Sequence, residues 1–257
     1  MSRVFITGSA DGLGQLAARQ LIDEGHEVVL HARSAARGRD ALEGAPGAAD
    51  VLTGDLASIA QTRALADAAN AEGRFDAVIH NAGLGYRDRE RVETEDGLPR
   101  VFAVNVLAPF LLTAEMTRPD RLIYLSSGMH RGGDPDVSDV QWRRRRWSGS
   151  QAYSDSKLYD TVLAFAVARR WPDVLANAVD PGWVATRMGG AGAPDDLKAG
   201  GDTQAWLAVS DDAEARVSGR LFYHRRPREA HPAASQTDVQ DALVEACRQL
   251  THVDLGA

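Results

Sequence analysis

Short apolar runs recur along the chain and alternate with segments of helical spacing. The runs occupy residues 4–6, 28–30, 51–52, 77–79, 122–125, 174–179 and 221–223. Their continuous apolar character is typical of strands buried on both faces of a parallel sheet. Since strands that alternate with helices predict right-handed βαβ crossovers, we expect a Rossmann-type doubly wound α/β sheet of about seven parallel strands, flanked by helices.

The first and third helical segments carry recognisable ends. In the first, one face carries Leu13, Leu16, Ala17 and Leu21. Gly25 is a plausible stop for this helix, and Ser58 can cap the third. The alternation continues to about residue 223, which predicts a single Rossmann-type domain over residues 1–257. The glycine- and alanine-rich stretch 188–201 predicts a loop inside this domain, a substrate loop at about 187–202.

Composition narrows the class of protein further. The 257 residues include 36 acids and 29 bases, and the net charge of -7 argues against a general nucleic-acid partner. The one cysteine, Cys247, excludes an internal disulfide and a cysteine-based metal cage. The histidines lack metal-like spacing, so no metal is expected. Because the chain has no membrane-length apolar run and no signal-peptide shape, we expect a cytoplasmic protein without a membrane partner.

A glycine-rich turn, T-G-S-A-D-G-L-G at residues 7–14, joins the first predicted strand to the first helix. Glycines let a backbone turn tightly and approach a pyrophosphate, and the helix N-terminus offers free N–H groups. A nucleotide site and an ordinary glycine turn are both open on this feature alone. The candidate cofactor-binding residues here are Gly8, Ser9, Asp11, Gly12, Leu13 and Gly14.

Further motifs follow in order, most of them near predicted strand ends. They are Asn81-Ala82-Gly83, Asn105, Ser126-Ser127, Tyr153 with Lys157 in a Y-x-x-x-K pattern, and residues 180–186 with Pro181, Gly182, Val184 and Thr186. Together with the T-G-x-x-x-G-x-G turn, they resemble the short-chain dehydrogenase/reductases over about residues 3–223. The segment between Ser127 and Tyr153 is similar to the retinol-dehydrogenase-like branch and to bacterial ketoreductases.

The resemblance implies a set of cofactor contacts. Asp55 and Leu56 correspond to the adenine-binding position, although Asp55 could equally be a helix-capping acid. Residues 81–83 would pack against adenosine, and Pro181, Gly182, Val184 and Thr186 would lie at the nicotinamide.

Tyr153 and Lys157 are four residues apart and so share one helix face. A nearby ammonium lowers the pKa of a phenol, which makes the pair a plausible acid/base couple. The family resemblance implies that Lys157 also binds the nicotinamide ribose. It implies that Ser127, with Ser126 as second choice, polarises the substrate carbonyl, and that Asn105 positions a water in a proton relay. An exposed pair, a serine turn and a structural asparagine are the alternatives.

The end of the second strand favours NADP(H), with NAD(H) as the alternative. Ala32 stands where an acid would bind a ribose 2′-hydroxyl, and Arg33 follows it. A guanidinium suits a 2′-phosphate, and Arg37 lies one turn further on. A solvated arginine is the other interpretation. The glycine turn carries Asp11 where the family often has a basic residue.

These residues predict an oxidoreductase that reduces a ketone or aldehyde with NADPH, or oxidises the matching alcohol. A non-catalytic NAD(P)-sensing protein is the main alternative, and an epimerase or dehydratase is a third. We expect a bulky, apolar carbonyl substrate because large side chains lie beside the predicted stations: Met129, Trp142, Trp147, Trp183 and Met188.

Two further features concern surfaces. The run Arg143–Arg146 is interpreted as a solvated or substrate-side strip rather than a nucleic-acid site. In the family, two helices form the common subunit interface, and here they carry Leu158, Val162, Phe165, Ala166, Trp206 and Leu207. This implies a homodimer or homotetramer. A C-terminal helix over 238–250 is expected to provide core or subunit contacts.

Overall fold

A computed structural model describes residues 1–256, which form a sheet of eight strands between two layers of helices. The strand order is β3-β2-β1-β4-β5-β6-β7-β8, parallel throughout except for the antiparallel pair β7 and β8. The strands are β1 (Arg3–Ile6), β2 (Glu27–Ala32), β3 (Asp50–Thr53), β4 (Ala77–His80), β5 (Arg121–Leu125), β6 (Leu175–Val179), β7 (Leu221–Tyr223) and β8 (Arg226–Arg228).

The helices lie between the strands in the order that the sequence predicts. They are α1 (Gly12–Asp23), α2 (Ala35–Gly44), α3 (Ile59–Ala71), α4 (Arg100–Phe102), α5 (Ala108–Glu115), α6 (Gly149–Arg170), α7 (Leu197–Val209) and α8 (Thr237–Thr251). A π-helical turn, Ala103–Leu107, joins α4 to α5, and short 3₁₀ turns occupy Gly128–Gly132, Val137–Asp139 and Pro232–Ser235. Ser58 caps α3, where its hydroxyl accepts the Gln61 N–H.

Successive residues of each central strand face opposite cores, which is how both sheet faces become buried. Val4 and Ile6 of β1 pack with α1 and α7, while Phe5 packs on the other face with α3, α5, α6 and α8. This two-sided burial explains why the strands appear in the sequence as continuous apolar runs.

The predicted doubly wound sheet is confirmed, and the seven predicted strands are its parallel members. The eighth strand, β8, has no apolar run because its three residues are exposed at the sheet edge. It returns from β7 through His224 and Arg225, whose φ angles of 48° and 60° form a tight two-residue hairpin turn. Pro227 is tolerated because an edge strand needs fewer backbone donors.

The predicted loop over 188–201 is too long, because α7 already begins at Leu197. Asp196 caps this helix by accepting the Ala199 N–H at 2.7 Å. The two glycines that suggested a loop, Gly200 and Gly201, instead let α7 pack closely. A Cβ on Gly200 would approach Val184 Cγ1 to 2.8 Å, and one on Gly201 would approach Leu16 Cβ to 3.1 Å.

The apolar faces of the later helices are turned inward. Leu158 and Val162 of α6 are buried in one core, and Trp206 and Leu207 of α7 are buried in the other. The C-terminal helix α8 packs on α6 through residues that include Cys247. Most of the apolar residues expected at a subunit interface therefore make contacts within the chain. Within residues 1–256, no helix is both long enough and apolar enough to span a bilayer.

Candidate active site

A cavity of about 560 Å³ runs along the carboxyl ends of the parallel strands. It lies where the strand order reverses between β1 and β4, the usual ligand position in doubly wound sheets. Its lining includes the predicted residues Gly8, Asp11, Gly12, Leu13, Arg33, Asp55, Leu56, Asn81, Ala82, Gly83, Tyr153, Lys157, Pro181 and Thr186. One cavity thus joins the glycine turn to the tyrosine–lysine pair.

The remaining predicted residues lie outside this lining: Ser9, Gly14, Asn105, Ser127, Gly182 and Val184. Val184 is buried, because it packs beneath the α7 glycine Gly200. Ser9 is buried as well, and its backbone N–H and hydroxyl bind the end of β2. Val184 and Ser9 therefore support the cavity wall and do not form its surface.

Close packing fixes the glycine turn against the loop that follows β4. A Cβ on Gly8 would come within 2.8 Å of Ala82 Cα, and one on Gly14 would collide with the Asn81 amide. The Asn81 Nδ2 donates to the carbonyls of Thr7 and Gly8 at 2.9 and 3.0 Å. The role of Asn81 is therefore to hold the turn, which leaves the N-terminus of α1 facing the cavity.

A buried histidine, His31, provides a second support that the sequence did not reveal. Its Nδ1 accepts the Gly8 N–H at 3.0 Å, and its Nε2 lies 2.9 Å from the Gly54 carbonyl, to which it donates. Burial lowers the pKa of His31 to about 4, so the neutral ring joins the glycine turn to the end of β3. A histidine at the end of an apolar strand was the available signal.

Two arginines, Arg33 and Arg37, lie at the end of the cavity near the glycine turn, and they differ in their partners. Within the described part of the chain, the exposed guanidinium of Arg33 has no hydrogen bond or ion pair. Arg37, by contrast, binds Asp11 at 2.6 Å and Asp40 at 2.5 Å. The acid in the glycine turn is thus paired with an arginine. Asp11 also lies 3.6 Å from Arg187 of the following loop.

Tyr153 is buried on α6, and its hydroxyl reaches the cavity. The hydroxyl lies 3.9 Å from the Met188 sulfur, and the Tyr86 ring packs edge-to-face on the tyrosine with 5.7 Å between centroids. Burial raises the pKa of Tyr153, while the Lys157 ammonium and a hydrogen bond with Ser127 lower it. The phenol of Tyr153 therefore lies among the Met188 side chain, the Tyr86 ring and the Lys157 ammonium.

Lys157 is also buried, and two oxygens hold its ammonium. Nζ donates to the Leu125 carbonyl at 2.6 Å and to Asp160 Oδ2 at 2.7 Å. Burial raises the pKa of Asp160 to about 6, although the adjacent lysine opposes this shift. This acid was not among the predicted site residues. Its place three residues after Lys157 on the same helix was the signal that could have found it.

The two serines after β5 have different surroundings. Ser126 is buried, and its hydroxyl binds the Lys157 carbonyl and the Thr161 hydroxyl, both at 2.9 Å. Ser127 begins the 3₁₀ turn, where its Oγ accepts the Met129 N–H at 3.2 Å. The hydroxyl of Ser126 is thus committed to α6, and that of Ser127 remains able to donate a hydrogen bond.

Asn105 lies in the π-helical turn, fully buried. Its Oδ1 accepts the Leu84 N–H at 2.7 Å, and its Nδ2 donates to the Leu84 carbonyl and to Ser156 Oγ. The amide therefore joins the loop after β4 to the helix of Tyr153. A Cβ on Gly83 would meet both Lys157 Nζ and Asn105 Oδ1, at 3.5 and 3.6 Å.

The arginine run Arg143–Arg146 precedes α6 and is bound to it through an ion pair. The Asp139 carboxylate accepts backbone N–H groups of residues 143–145, and Arg145 binds Asp155 of α6 at 3.0 Å. Trp142 and Trp147 contact each other edge-to-face and pack in one apolar cluster with Tyr153.

The three tryptophans that were expected to line the cavity, Trp142, Trp147 and Trp183, are not part of its lining. Trp142 is buried, and Trp183 is 57% exposed, with its indole N–H donating to the Gly189 carbonyl. The expectation that large side chains line the cavity holds for Met188 but not for these tryptophans or Met129.

The sequence matches known proteins along most of its length. The family model described as short chain dehydrogenase covers residues 2–196. An uncharacterized oxidoreductase of Emericella nidulans is 45% identical over 98% of both chains, and the short-chain dehydrogenase chyC of Penicillium rubens is 42% identical over 100% of both. A Streptomyces relative that carries the name of a daunorubicin C-13 ketoreductase is 35% identical over 87% of this chain and 83% of its own.

Among solved structures, an uncharacterized protein from Mycobacterium Paratuberculosis superposes with a TM-score of 0.86 at 27% identity, over 100% of this chain and 96% of its own. A metagenomic blue fluorescent protein solved with NADPH shares the fold, with a TM-score of 0.69 at 24% identity over 86% and 95% of the two chains.

Fold and site together define a Rossmann-type oxidoreductase that acts on a small molecule. The chain belongs to the short-chain dehydrogenase family. The predicted family resemblance is confirmed.

Proposed function

We propose that this chain is an NADP(H)-dependent reductase of ketones or aldehydes, able to run the reverse alcohol oxidation. The observation that carries the proposal is the single cavity that brings a buried Tyr153–Lys157 pair and a glycine turn with a free Arg33 to one surface. A protein that only senses the cofactor has no need for a buried acid/base pair beside it.

The residues at the glycine turn fit a dinucleotide. The φ angles of Gly8 and Gly12 are 63° and 59°, and the close contacts at Gly8 leave no room for a side chain between the turn and Ala82 in the loop after β4. Gly12 begins α1 at the cavity, where backbone N–H groups can hold a pyrophosphate. Arg33 would hold the 2′-phosphate, and Asp55 and Leu56 would border the adenine.

When bound, the nicotinamide supplies hydride to the carbonyl carbon. Ser127 donates a hydrogen bond to the carbonyl oxygen, and the Tyr153 hydroxyl donates its proton to the same oxygen as negative charge develops there. Lys157 holds the ribose and stabilises the tyrosinate that remains. Asn105 holds the Leu84 backbone near this lysine, where it would position a water that returns a proton to Tyr153.

The surroundings of Tyr153 support a bulky, apolar substrate. Tyr86 and Met188 cover the phenol, and Leu84 and Val104 line the same cavity. The name of the Streptomyces relative, a daunorubicin C-13 ketoreductase, is consistent with a carbonyl substrate.

We propose that the chain assembles as a homodimer or homotetramer, although the α6 and α7 residues that suggested this assembly are largely buried within the chain. Light scattering at micromolar concentration measures the oligomeric state directly.

The proposal is tested by incubating the protein with NADPH or NADH and a panel of carbonyl compounds while the absorbance of the reduced cofactor is followed. We expect turnover of at least one bulky ketone with NADPH. Tight NADPH binding without turnover of any carbonyl or alcohol would instead support the cofactor-sensing alternative.

A further inference from the structure

One buried carboxylate beside the acid/base pair has no part in the mechanism above. Asp160 lies one turn after Lys157 on α6, and the side chains of both are at most 5% exposed. Asp160 Oδ2 accepts from Lys157 Nζ at 2.7 Å, whereas its Oδ1 is buried without a hydrogen-bond partner in the described part of the chain. The pair with Lys157 is therefore the principal interaction of this carboxylate.

The pairing restricts what the ammonium can do. An ammonium has three N–H donors, and Asp160 and the Leu125 carbonyl take two of them. The third is left for the cavity, where Lys157 borders Tyr153. Asp160 and Leu125 thus aim the lysine from the side of the protein core.

The pairing also changes the electrostatics at Tyr153. A lone buried ammonium would strongly favour the tyrosinate, because opposite charges attract most in a poorly solvated site. A carboxylate 2.7 Å from the same ammonium cancels much of that attraction.

We propose that Asp160 is a positioning residue that orients Lys157 and offsets its charge, so that Tyr153 remains a protonated phenol and the site is set for carbonyl reduction. The inference rests on the proposed function for the role of Tyr153 as the acid. It adds the residue that sets the pH range over which Tyr153 can act as the acid.

Among the other titratable groups near Lys157 and Tyr153, none provides a second anion in contact with the Lys157 ammonium within the described residues. Tyr124 of β5 is fully buried, and burial raises its pKa. His80 of β4 is neutral because burial lowers its pKa to about 3. Asp180, after β6, is already paired with Arg228 at 2.9 Å. Asp160 is thus the anion that contacts the lysine, and it also acts to raise the pKa of Tyr153.

The test is the pH profile of Asp160→Asn, which keeps the shape and removes the charge. In this variant the uncompensated ammonium stabilises the tyrosinate. We expect the alkaline limb of kcat/KM for carbonyl reduction to move about one unit toward lower pH. The acid limb of alcohol oxidation should move the same way. If the amide variant does not fold, Asp160→Ala removes the same charge and leaves space for water.

Asp155→Asn is the matched control, because Asp155 is a buried carboxylate of the same helix that pairs with Arg145 instead of Lys157. It should leave both limbs in place even where it lowers stability. Unshifted limbs in Asp160→Asn, with or without a loss of stability, would overturn the proposal and reduce Asp160 to a structural residue.

A second measurement does not depend on turnover. Tyrosinate absorbance is titrated with pH in the wild type and in Asp160→Asn, and the matching Tyr153→Phe protein is subtracted in each background. We expect Tyr153 to ionise at lower pH in the amide variant. If no carbonyl is reduced, the proposed function fails while this titration still decides the role of Asp160. Equal ionisation in the two backgrounds refutes that role.

Discussion

Burial changes the pKa of polar residues beside the cavity. It raises the pKa of Tyr153 and lowers that of His31, because the charged form of each would lack hydration. The Lys157 ammonium is buried as well, where it is paired with Asp160. Single substitutions at these side chains therefore have readable consequences.

Tyr153→Phe removes the proposed proton donor and little else. We expect kcat for carbonyl reduction to fall by about 10²–10⁴-fold, the usual contribution of a general acid. NADPH affinity, measured by fluorescence titration, should stay close to the wild-type value. Tyr159→Phe is the matched control on the same helix, since the Tyr159 hydroxyl binds the Asp136 carbonyl away from the cavity. Wild-type turnover by the Tyr153 variant would reject the mechanism.

Arg33→Ala tests the cofactor preference. A charge-assisted bond to a phosphate contributes about 1.5–3 kcal/mol, so NADPH affinity should fall roughly tenfold or more while NADH affinity barely changes. Arg39→Ala removes an exposed arginine that does not line the cavity and should affect neither cofactor. Equal binding of NADPH and NADH by the wild type would contradict the preference itself.

At the scale of helices and strands, the sequence pattern predicts the buried elements well and the exposed ones poorly. The central parallel strands are apolar because both of their faces are covered, so their positions could be predicted together with the motifs that follow them. β8 is exposed and carries no such pattern. Gly200 and Gly201 suggested a loop, since the sequence does not show that α1 and Val184 press against that side of α7.

Contacts between segments distant in sequence could not be predicted, because they depend on how the segments pack together. Tyr86 packs on Tyr153 because the loop after β4 folds over α6, and no local pattern encodes that meeting. The Asn81 motif could be found by resemblance, but its role as a clamp on the glycine turn follows only from the hydrogen bonds to Thr7 and Gly8.

The loop before α7 provides the third prediction, that Met188 shapes the substrate site. We expect the wild type to prefer a bulky aromatic ketone over a small polar one. Met188→Ala should lower kcat/KM for the aromatic ketone about tenfold, as a lost apolar contact typically does. Trp183→Ala is the comparison on the same loop, because Trp183 is mostly exposed and should leave this preference intact. A wild-type preference for the small polar ketone would reject the apolar site.

At the scale of the whole molecule, a buried histidine makes the stability of the protein depend on pH. His31 is enclosed in the sheet, and its ring joins the turn to the end of β3. Its pKa is about 4 in the folded chain, against 6.5 for an ordinary histidine. Between those values the unfolded chain binds a proton that the folded chain does not, so this residue makes the protein less stable as the pH falls below 6.5.

The last prediction is therefore a difference in acid stability. From pH 7 to pH 5, His31 should cost the wild type about 2 kcal/mol of unfolding free energy, from ~1.4 kcal/mol per pH unit below 6.5. Asp160, whose pKa is raised to about 6, acts in the opposite direction, and so the comparison needs a variant that retains it. His31→Gln keeps an acceptor near Gly8 without the titrating ring. Urea unfolding at both pH values should show a smaller acid-induced loss of unfolding free energy in this variant. An equal loss in both proteins would mean that burial does not lower the pKa of His31.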